Sequence, residues 1–493
     1  MLTCNGALPQ TEPVRSTGVG LPNLGDGSDM TPSAERRLGD RIARELYRDP
    51  DYIDDPVIME YVQGIWQPLL AAARLRGELP PELDRAYAWE VLLSKDRTVN
   101  AFALPGAYLG LHLGLVSVVS SRDELASVLA HELSHVTQRH IARLLTRQSA
   151  QTPWMMGATI LAVLAASKSA GAANAVIVGG QALAAQNQLN FSRDMEREAD
   201  RVGYGVMTQA GFAPQAFVSM FEKLQQAARL NDNGNFPYLR SHPLTTERMA
   251  DMQARIPVTD GRTSSALTME HAQIAARARV LSNGNVDALR NWAGEVEPAR
   301  LARLTPAAQA GALYGAALAA GKLRDFTAAQ ALMVRLEGMV AGNPAATRLT
   351  RLLEAELALA QDVPARALQI LQSQPEGGRA VQLLQAQAAV MAGQAAQATQ
   401  SLQTWLVDHP RDAMGWQLLA SAYAAQGKSL SAVRAEAEVN IVQMDYAAAL
   451  TRLKAAQDLA RKGTGAGDYI EASIVDTRTR QVELWIREQA LER

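Results

Sequence analysis

The sequence predicts a mostly α-helical protein in two parts: a helical first half carrying a small β-sheet, then an α-solenoid. Three observations carry this. Apolar residues recur at helical spacing over most of the chain from Ala34 onward. Strand-like alternation is confined to two stretches between Tyr87 and Leu109. Beyond residue 265 the composition turns to Ala, Leu and Gln, and Pro344, Pro375 and Pro410 punctuate helix-length stretches. A chain of 493 residues also exceeds one ordinary core, so separate domains are expected.

Residues 1–33 are rich in Gly, Pro, Ser and Thr without periodicity and read as a disordered leader. They show neither the basic start nor the apolar stretch of an export signal, although Leu2-Thr3-Cys4 faintly resembles the end of a lipoprotein signal. Cys4, the single cysteine, makes neither an internal disulfide nor a thiolate metal site. A helical pattern starts at Ala34, breaks between Asp49 and Pro56, and resumes with Ile58, Val62, Ile65 and Leu69 on one face. Tyr87 to Leu93 reads as a strand, as does Val99 to Leu109 with a kink at Pro105-Gly106. Helices are then expected over 122–147, 153–187, 193–211, 214–229 and Thr245 to Arg255, with a polar loop at 231–235. Residues 257–265 read as a linker, which places one domain over 34–265 and a second over 266–493. In the second, the prolines lie 31 and 35 residues apart, close to the 34-residue period of tetratricopeptide (TPR) repeats. Gly393, Ala398, Leu402, Trp416, Leu419, Tyr423 and Gly427 fit that repeat, whereas its phase slips around Gly321 to Phe326.

Charge and hydropathy exclude some classes. With 48 basic and 50 acidic residues there is no electrostatic footprint for nucleic acid. Trp154 to Ala166 is the most apolar stretch, well short of the roughly 20 residues of a membrane-spanning helix, and Lys168 follows it. Segment 153–187 is therefore either a buried or lid hairpin or a peripheral contact with a membrane surface.

The chemistry is concentrated in Ala130-His131-Glu132-Leu133-Ser134-His135. Histidines four apart on a helix differ by only about 40° around the axis, so both imidazoles reach one metal ion. Glu132 is rotated about 100° from His131, where it flanks the metal and can take a proton from an attacking water. With 7 histidines in the chain, about 0.1 such pairs arise by chance, and the glutamate requirement lowers this to about one in two hundred. A second cluster, SRDMEREAD over 192–200, puts Glu196 and Asp200 four apart on another helix. Two neutral histidines and one carboxylate make a catalytic zinc site with an open position, and Asp200 is placed to accept the free ring N–H of a zinc histidine. Glu198 points away and reads as a solvated charge. The rival arrangement, with Gly and His further along the first helix, fails because those positions hold Gln138 and Ile141. His140 falls about 180° from His131 on a continuous helix and reads as no ligand. His112, His271 and His409 lack spaced partners and read as core or surface residues. Arg248 is positioned either to contact substrate or to pair with a carboxylate.

The runs NAFALPG (100–106), HELSH, SRDMEREAD and SHPLTTERM (241–249) resemble the zinc-metallopeptidase family that contains HtpX and the CAAX prenyl protease. The resemblance spans roughly residues 35–493, specific in the first half and looser in the repeats. It implies a gluzincin-type endopeptidase holding one Zn2+ per chain through His131, His135 and Glu196, with Glu132 as general base. It implies that Asn100, Ala101, Phe102 and Ala103 form an edge strand that pairs with extended substrate. His242 matches a histidine that caps the zinc as a regulatory fourth ligand. In repeat-bearing members the resemblance implies a periplasmic, partly chaperone-like role in quality control of outer-membrane β-barrel assembly. The substrates would be unfolded or misassembled proteins, and the repeats would dock on the β-barrel assembly machinery. The rival from another class is a non-catalytic repeat scaffold or chaperone whose zinc is structural and closed by four protein ligands.

Overall fold

Most long helices of the first half begin at caps written into the sequence. In the computed structural model, which describes residues 30–147, 192–230, 236–256, 266–372, 377–462 and 468–491, Thr31 caps helix α1 (Pro32–Tyr47) by accepting the Ala34 N–H. Asp55 caps α2 (Pro56–Leu75) through Ile58 N–H, and both helices start on a proline, whose missing N–H costs nothing at that position. Ser121 caps α5 (Arg122–Thr137) by accepting Glu124 N–H, and Glu124 reaches back to the N–H of the preceding residue, Ser120, at 2.6 Å. The leader up to residue 29, segment 153–187, the 231–235 loop and the 257–265 linker lie outside the described residues. No helix among the described residues is long and apolar enough to cross a membrane.

Between these helices lie α3 (Pro81–Ala86), α4 (Leu113–Val118) and a four-stranded sheet in the order β1-β2-β4-β3. Its strands are β1 (Tyr52–Ile53), β2 (Glu90–Ser94), β3 (Ala101–Leu104) and β4 (Tyr108–His112). β2 runs parallel to β4, and the other two pairs are antiparallel. The expected single kinked strand over Val99 to Leu109 is instead the β3–β4 hairpin. Gly106 at φ 71° and Ala107 at φ 62° turn the chain back on itself where a kink was expected. β2 starts three residues later than expected because Trp89, at φ 52°, interrupts the extended run. The long helix expected over 122–147 is likewise two, α5 and α6 (His140–Arg147), separated by Arg139 in the left-handed conformation at φ 54°.

After α7 (Arg193–Gln209), α8 (Gln215–Leu230), α9 (Pro237–Ser241), α10 (Thr246–Arg255) and α11 (Met269–Ser282), the second half settles into helix pairs. Their first members begin at residues 306, 344, 379, 413 and 446, close to the expected period. Within a pair the turn uses one left-handed residue: Arg324, Asp362, Gly393 or Gly427 in the first four pairs. The slip in repeat phase near Gly321 reflects Arg324 standing where the third and fourth pairs carry glycine. Ala398, Leu402, Leu419 and Tyr423 are buried between helices, as the repeat pattern requires.

The two halves share one core. A single apolar cluster runs from Val57 through Leu133 and Phe217 to Ala388. Helix α11 carries polar groups across the seam as well. His271 Nε2–H donates to Val119 O at 2.9 Å, and its Nδ1 accepts from Tyr61 OH at 2.7 Å. Arg277, 4 % exposed, forks onto Asp55 at 2.7–3.1 Å and onto Glu356 at 2.7–2.9 Å, joining the start of α2 to the 344–360 helix. Arg379 repeats the device further along, holding Asp54 and Asp412 at 2.6–3.0 Å. Arg277→Met should therefore strand the buried Asp55 carboxylate, leave the partly buried Glu356 without this partner, and destabilise the whole chain by about 3–5 kcal/mol. Thermal unfolding, followed by one probe in each half, should show a single transition displaced downward in that variant. Two separated transitions, with the first half unaffected, would contradict a shared core.

Candidate metal centre

Every residue of α5 from Glu124 to Thr137 is buried, so this helix has no solvent face on which to place polar groups. His131 is 1 % exposed, and Glu132 and His135 are fully enclosed. Groups of this kind are tolerated in an interior only when each finds a partner. The partners come mainly from α7, which crosses α5 closely because Gly203 packs on the Ala130 backbone. A Cβ there would stand 3.0 Å from Ala130 O. Ser192 caps α7 through Met195 N–H and so fixes the start of the helix that presents Glu196 and Asp200. A third contribution, His242, follows α9, whose Tyr238 N–H donates to Val99 O at 3.3 Å beside the start of β3.

Four donor atoms converge. His131 Nε2 lies 3.0 Å from His135 Nε2 and 3.3 Å from His242 Nδ1. Glu196 Oε1 lies 3.0 Å from His242 Nδ1 and 3.4 Å from His135 Nε2, and Glu196 Oε2 lies 3.6 Å from His131 Nε2. Donors about 2.0–2.1 Å from a tetrahedral zinc stand about 3.3 Å from one another. The cluster therefore has the size and chemistry for that ion, with all four donor atoms within 4.8 Å of one another. Glu132 sits beside the cluster, its Oε2 accepting Ala103 N–H at 3.0 Å and its Oε1 3.4 Å from His242 Nε2. Burial raises the Glu132 pKa above its ordinary value, against the pull of His242 and His131.

The outer partners are equally specific. His131 Nδ1 lies 2.9 Å from Asp200 Oδ1, and Arg248 holds both oxygens of Asp200 at 2.6 and 2.8 Å. Burial alone would lower the His131 pKa, but hydrogen bonds to Asp200 and Glu196 carry it up to about 10. Burial likewise opposes ionised Asp200, yet Arg248 and His131 bring its pKa below the ordinary value. Arg248 also reaches Glu196 Oε2 at 2.7 Å, so of its two expected roles the structure supplies carboxylate pairing. His242 does not cap the following helix, since Thr245 does so by accepting Arg248 N–H.

Three placements differ from the sequence reading. The left-handed break at Arg139 turns His140 back toward the site, where its Nδ1 lies 2.9 Å from His135 Nδ1. Glu198, read as a solvated charge, lies 3.0 Å from both His140 and Arg143. Tyr238, which no sequence pattern singled out, stacks on His242 with ring centroids 4.6 Å apart. The spacing of His140 gave no signal, because it is informative only on an unbroken helix. Asn100 is buried with its carbonyl accepting His112 N–H at 3.1 Å, and Ala101, Phe102 and Ala103 lie on β3, the sheet edge beside Glu132.

Residues 61–256 match peptidase family M48. Over 482 residues the chain is 30 % identical to a Vibrio cholerae protein named as a beta-barrel assembly-enhancing protease, covering 96 % of this chain and 94 % of that one. It is 29 % identical over 430 residues to the beta-barrel assembly-enhancing protease of Escherichia coli K12, covering 85 % and 83 %. Similarity to the mitochondrial metalloendopeptidase OMA1 of Saccharomyces cerevisiae is confined to 201 residues, 40 % of this chain and 55 % of that protein, at 27 % identity.

Purified protein should hold about one zinc per chain. His131→Ala, His135→Ala and Glu196→Ala should each lose most of it, whereas Asp200→Ala should keep a site weakened about 10–100-fold. Full zinc in all three ligand variants, by elemental analysis, would show that the metal sits elsewhere.

Proposed function

Since the chain belongs to peptidase family M48 and, along nearly its whole length, to the β-barrel assembly-enhancing proteases, we propose a specific division of labour for this zinc metalloprotease. His131, His135 and Glu196 hold the metal, Glu132 is the general base and acid, and His242 is a removable fourth ligand. What supports this reading is the convergence of four buried donors within 4.8 Å of one another, with a fifth buried group, Glu132, beside them. A site built only to brace the fold has no use for that additional carboxylate.

A zinc ion held there supplies Lewis acidity, polarising the scissile carbonyl and lowering the pKa of water. Glu132 takes the proton of the attacking water and hands it to the leaving amine. Ala103 N–H holds one carboxylate oxygen and so fixes the direction from which Glu132 acts. Substrate is presented by β3. Because Asn100 O bonds to β4, antiparallel alternation turns the N–H and C=O of Ala101 and the C=O of Ala103 to the outer edge, where an extended peptide can add as a strand, while the Ala103 N–H stays on Glu132. The Asp200–Arg248 pair holds His131 in orientation while the reaction proceeds.

With a zinc ion bound, His242 would fill the coordination position that the reaction needs. It belongs to a segment joined to β3 through Tyr238 N–H and Val99 O, so a peptide entering the edge meets that segment directly. Departure of His242 leaves three ligands in place. The names of the similar proteins support a role in β-barrel assembly, and we extend this to misassembled outer-membrane β-barrel clients, a periplasmic location, and docking of the helical repeats on the assembly machinery.

Glu132→Gln should keep its zinc and lose about 10²–10⁴-fold in cleavage of an unfolded protein. Wild-type cleavage by a zinc-loaded Glu132→Gln protein would remove the proposed base and favour the closed structural site. His242→Ala should move in the other direction, with zinc near one per chain and basal cleavage raised. Unchanged or lower cleavage in that folded, zinc-loaded variant would remove the latch.

A further inference from the structure

Each imidazole of a buried histidine pair has a second nitrogen to satisfy. For His131 the partner is Asp200, a carboxylate read from the sequence. For His135 it is a second imidazole. His140, fully buried, places Nδ1 2.9 Å from His135 Nδ1, with the rings edge-on at a centroid distance of 5.0 Å. Its opposite nitrogen, Nε2, lies 3.0 Å from Glu198 Oε2, which also accepts from Arg143 Nη1 at 3.0 Å.

The proton positions follow from what each group can do. An ionised carboxylate only accepts, so His140 Nε2 carries a hydrogen. In a neutral ring His140 Nδ1 is then bare and accepts, and the hydrogen between the two rings belongs to His135 Nδ1. That leaves the lone pair of His135 on Nε2, the nitrogen that faces His131 and Glu196.

We infer that His140 and Glu198 form a positioning relay for His135, selecting the tautomer and ring orientation in which His135 Nε2 is presented to a metal ion. The inference rests on the proposed role of His135 as a ligand. It gives the run Glu196-Arg197-Glu198-Ala199-Asp200 a single logic: Glu196 is a ligand, Asp200 anchors His131, and Glu198 anchors His135 through His140. The two branches differ in exposure. The Asp200 side chain is 1 % exposed and that of Glu198 33 %, so the His135 branch ends at the protein surface and is the weaker. The left-handed Arg139 makes the branch possible, because a continuous helix would carry His140 to the far side of α5.

The test is zinc affinity of the full-length protein, measured by competition with a chelator of known affinity. His140→Leu should still reach about one zinc per chain at saturation, with affinity about 10–100-fold weaker than wild type. His140→Gln should recover most of that loss, because its amide oxygen accepts from His135 and its amide N–H reaches Glu198. Glu198→Ala alters only the partly exposed end, cannot disturb the buried packing, and should weaken affinity by less than His140→Leu. Wild-type affinity in both His140→Leu and Glu198→Ala would overturn the relay. So would His140→Gln binding as weakly as His140→Leu, which marks a packing role. His135→Ala separates the two levels: if it keeps full zinc, the ligand assignment itself fails and the relay with it.

Discussion

Helix α5 places two imidazoles and a carboxylate where water does not reach, and the surrounding structure answers that constraint. Leaving such groups unpaired costs about 1–3 kcal/mol each, and more where charge is involved, a large fraction of a domain's net stability. α7 answers with Glu196 and Asp200, the segment after α9 with His242, α10 with Arg248, and β3 with the Ala103 N–H. Together with α5, those elements come from four separate stretches of chain. The centre is therefore a place where the fold is held together as well as a place where chemistry occurs.

The parts of this centre legible in the sequence are those governed by the period of one helix. His131 with His135, and Glu196 with Asp200, are each four apart, and both pairs land on single faces as spacing requires. His242 and the edge strand were legible only through resemblance, since nothing in their local pattern points to a metal. The remainder depended on backbone events without a sequence signature. Arg139 adopts a left-handed conformation that its residue type does not favour, and this moves His140 from the far side of the helix onto His135. Gly106 did announce a bend, but a hairpin and a kink differ only in how the next strand pairs. β1, two residues long, is too short to show alternation.

The composition change near residue 265 pointed to a helical C-terminal region and obscured its relation to the first half. Composition reports how helices pack on one another, here through small Ala-rich contacts, but not where a core ends. Asp55 and Arg277 are 222 residues apart, and His271 and Tyr61 are 210 apart, yet each pair is buried in the seam. Arg277 and Arg379 tie the helical repeats to the chain around the start of α2 through Asp55 and Asp54.

The central claim is that one zinc ion sits among His131, His135, Glu196 and His242, with Glu132 beside it and not bonded to it. Anomalous diffraction from crystals of the resting protein, recorded on both sides of the zinc edge, locates the ion directly. The account predicts one peak per chain, about 2.0–2.2 Å from a nitrogen of each of the three histidines and from a Glu196 oxygen. A zinc peak ligated by Glu132, or one outside this cluster, would contradict it.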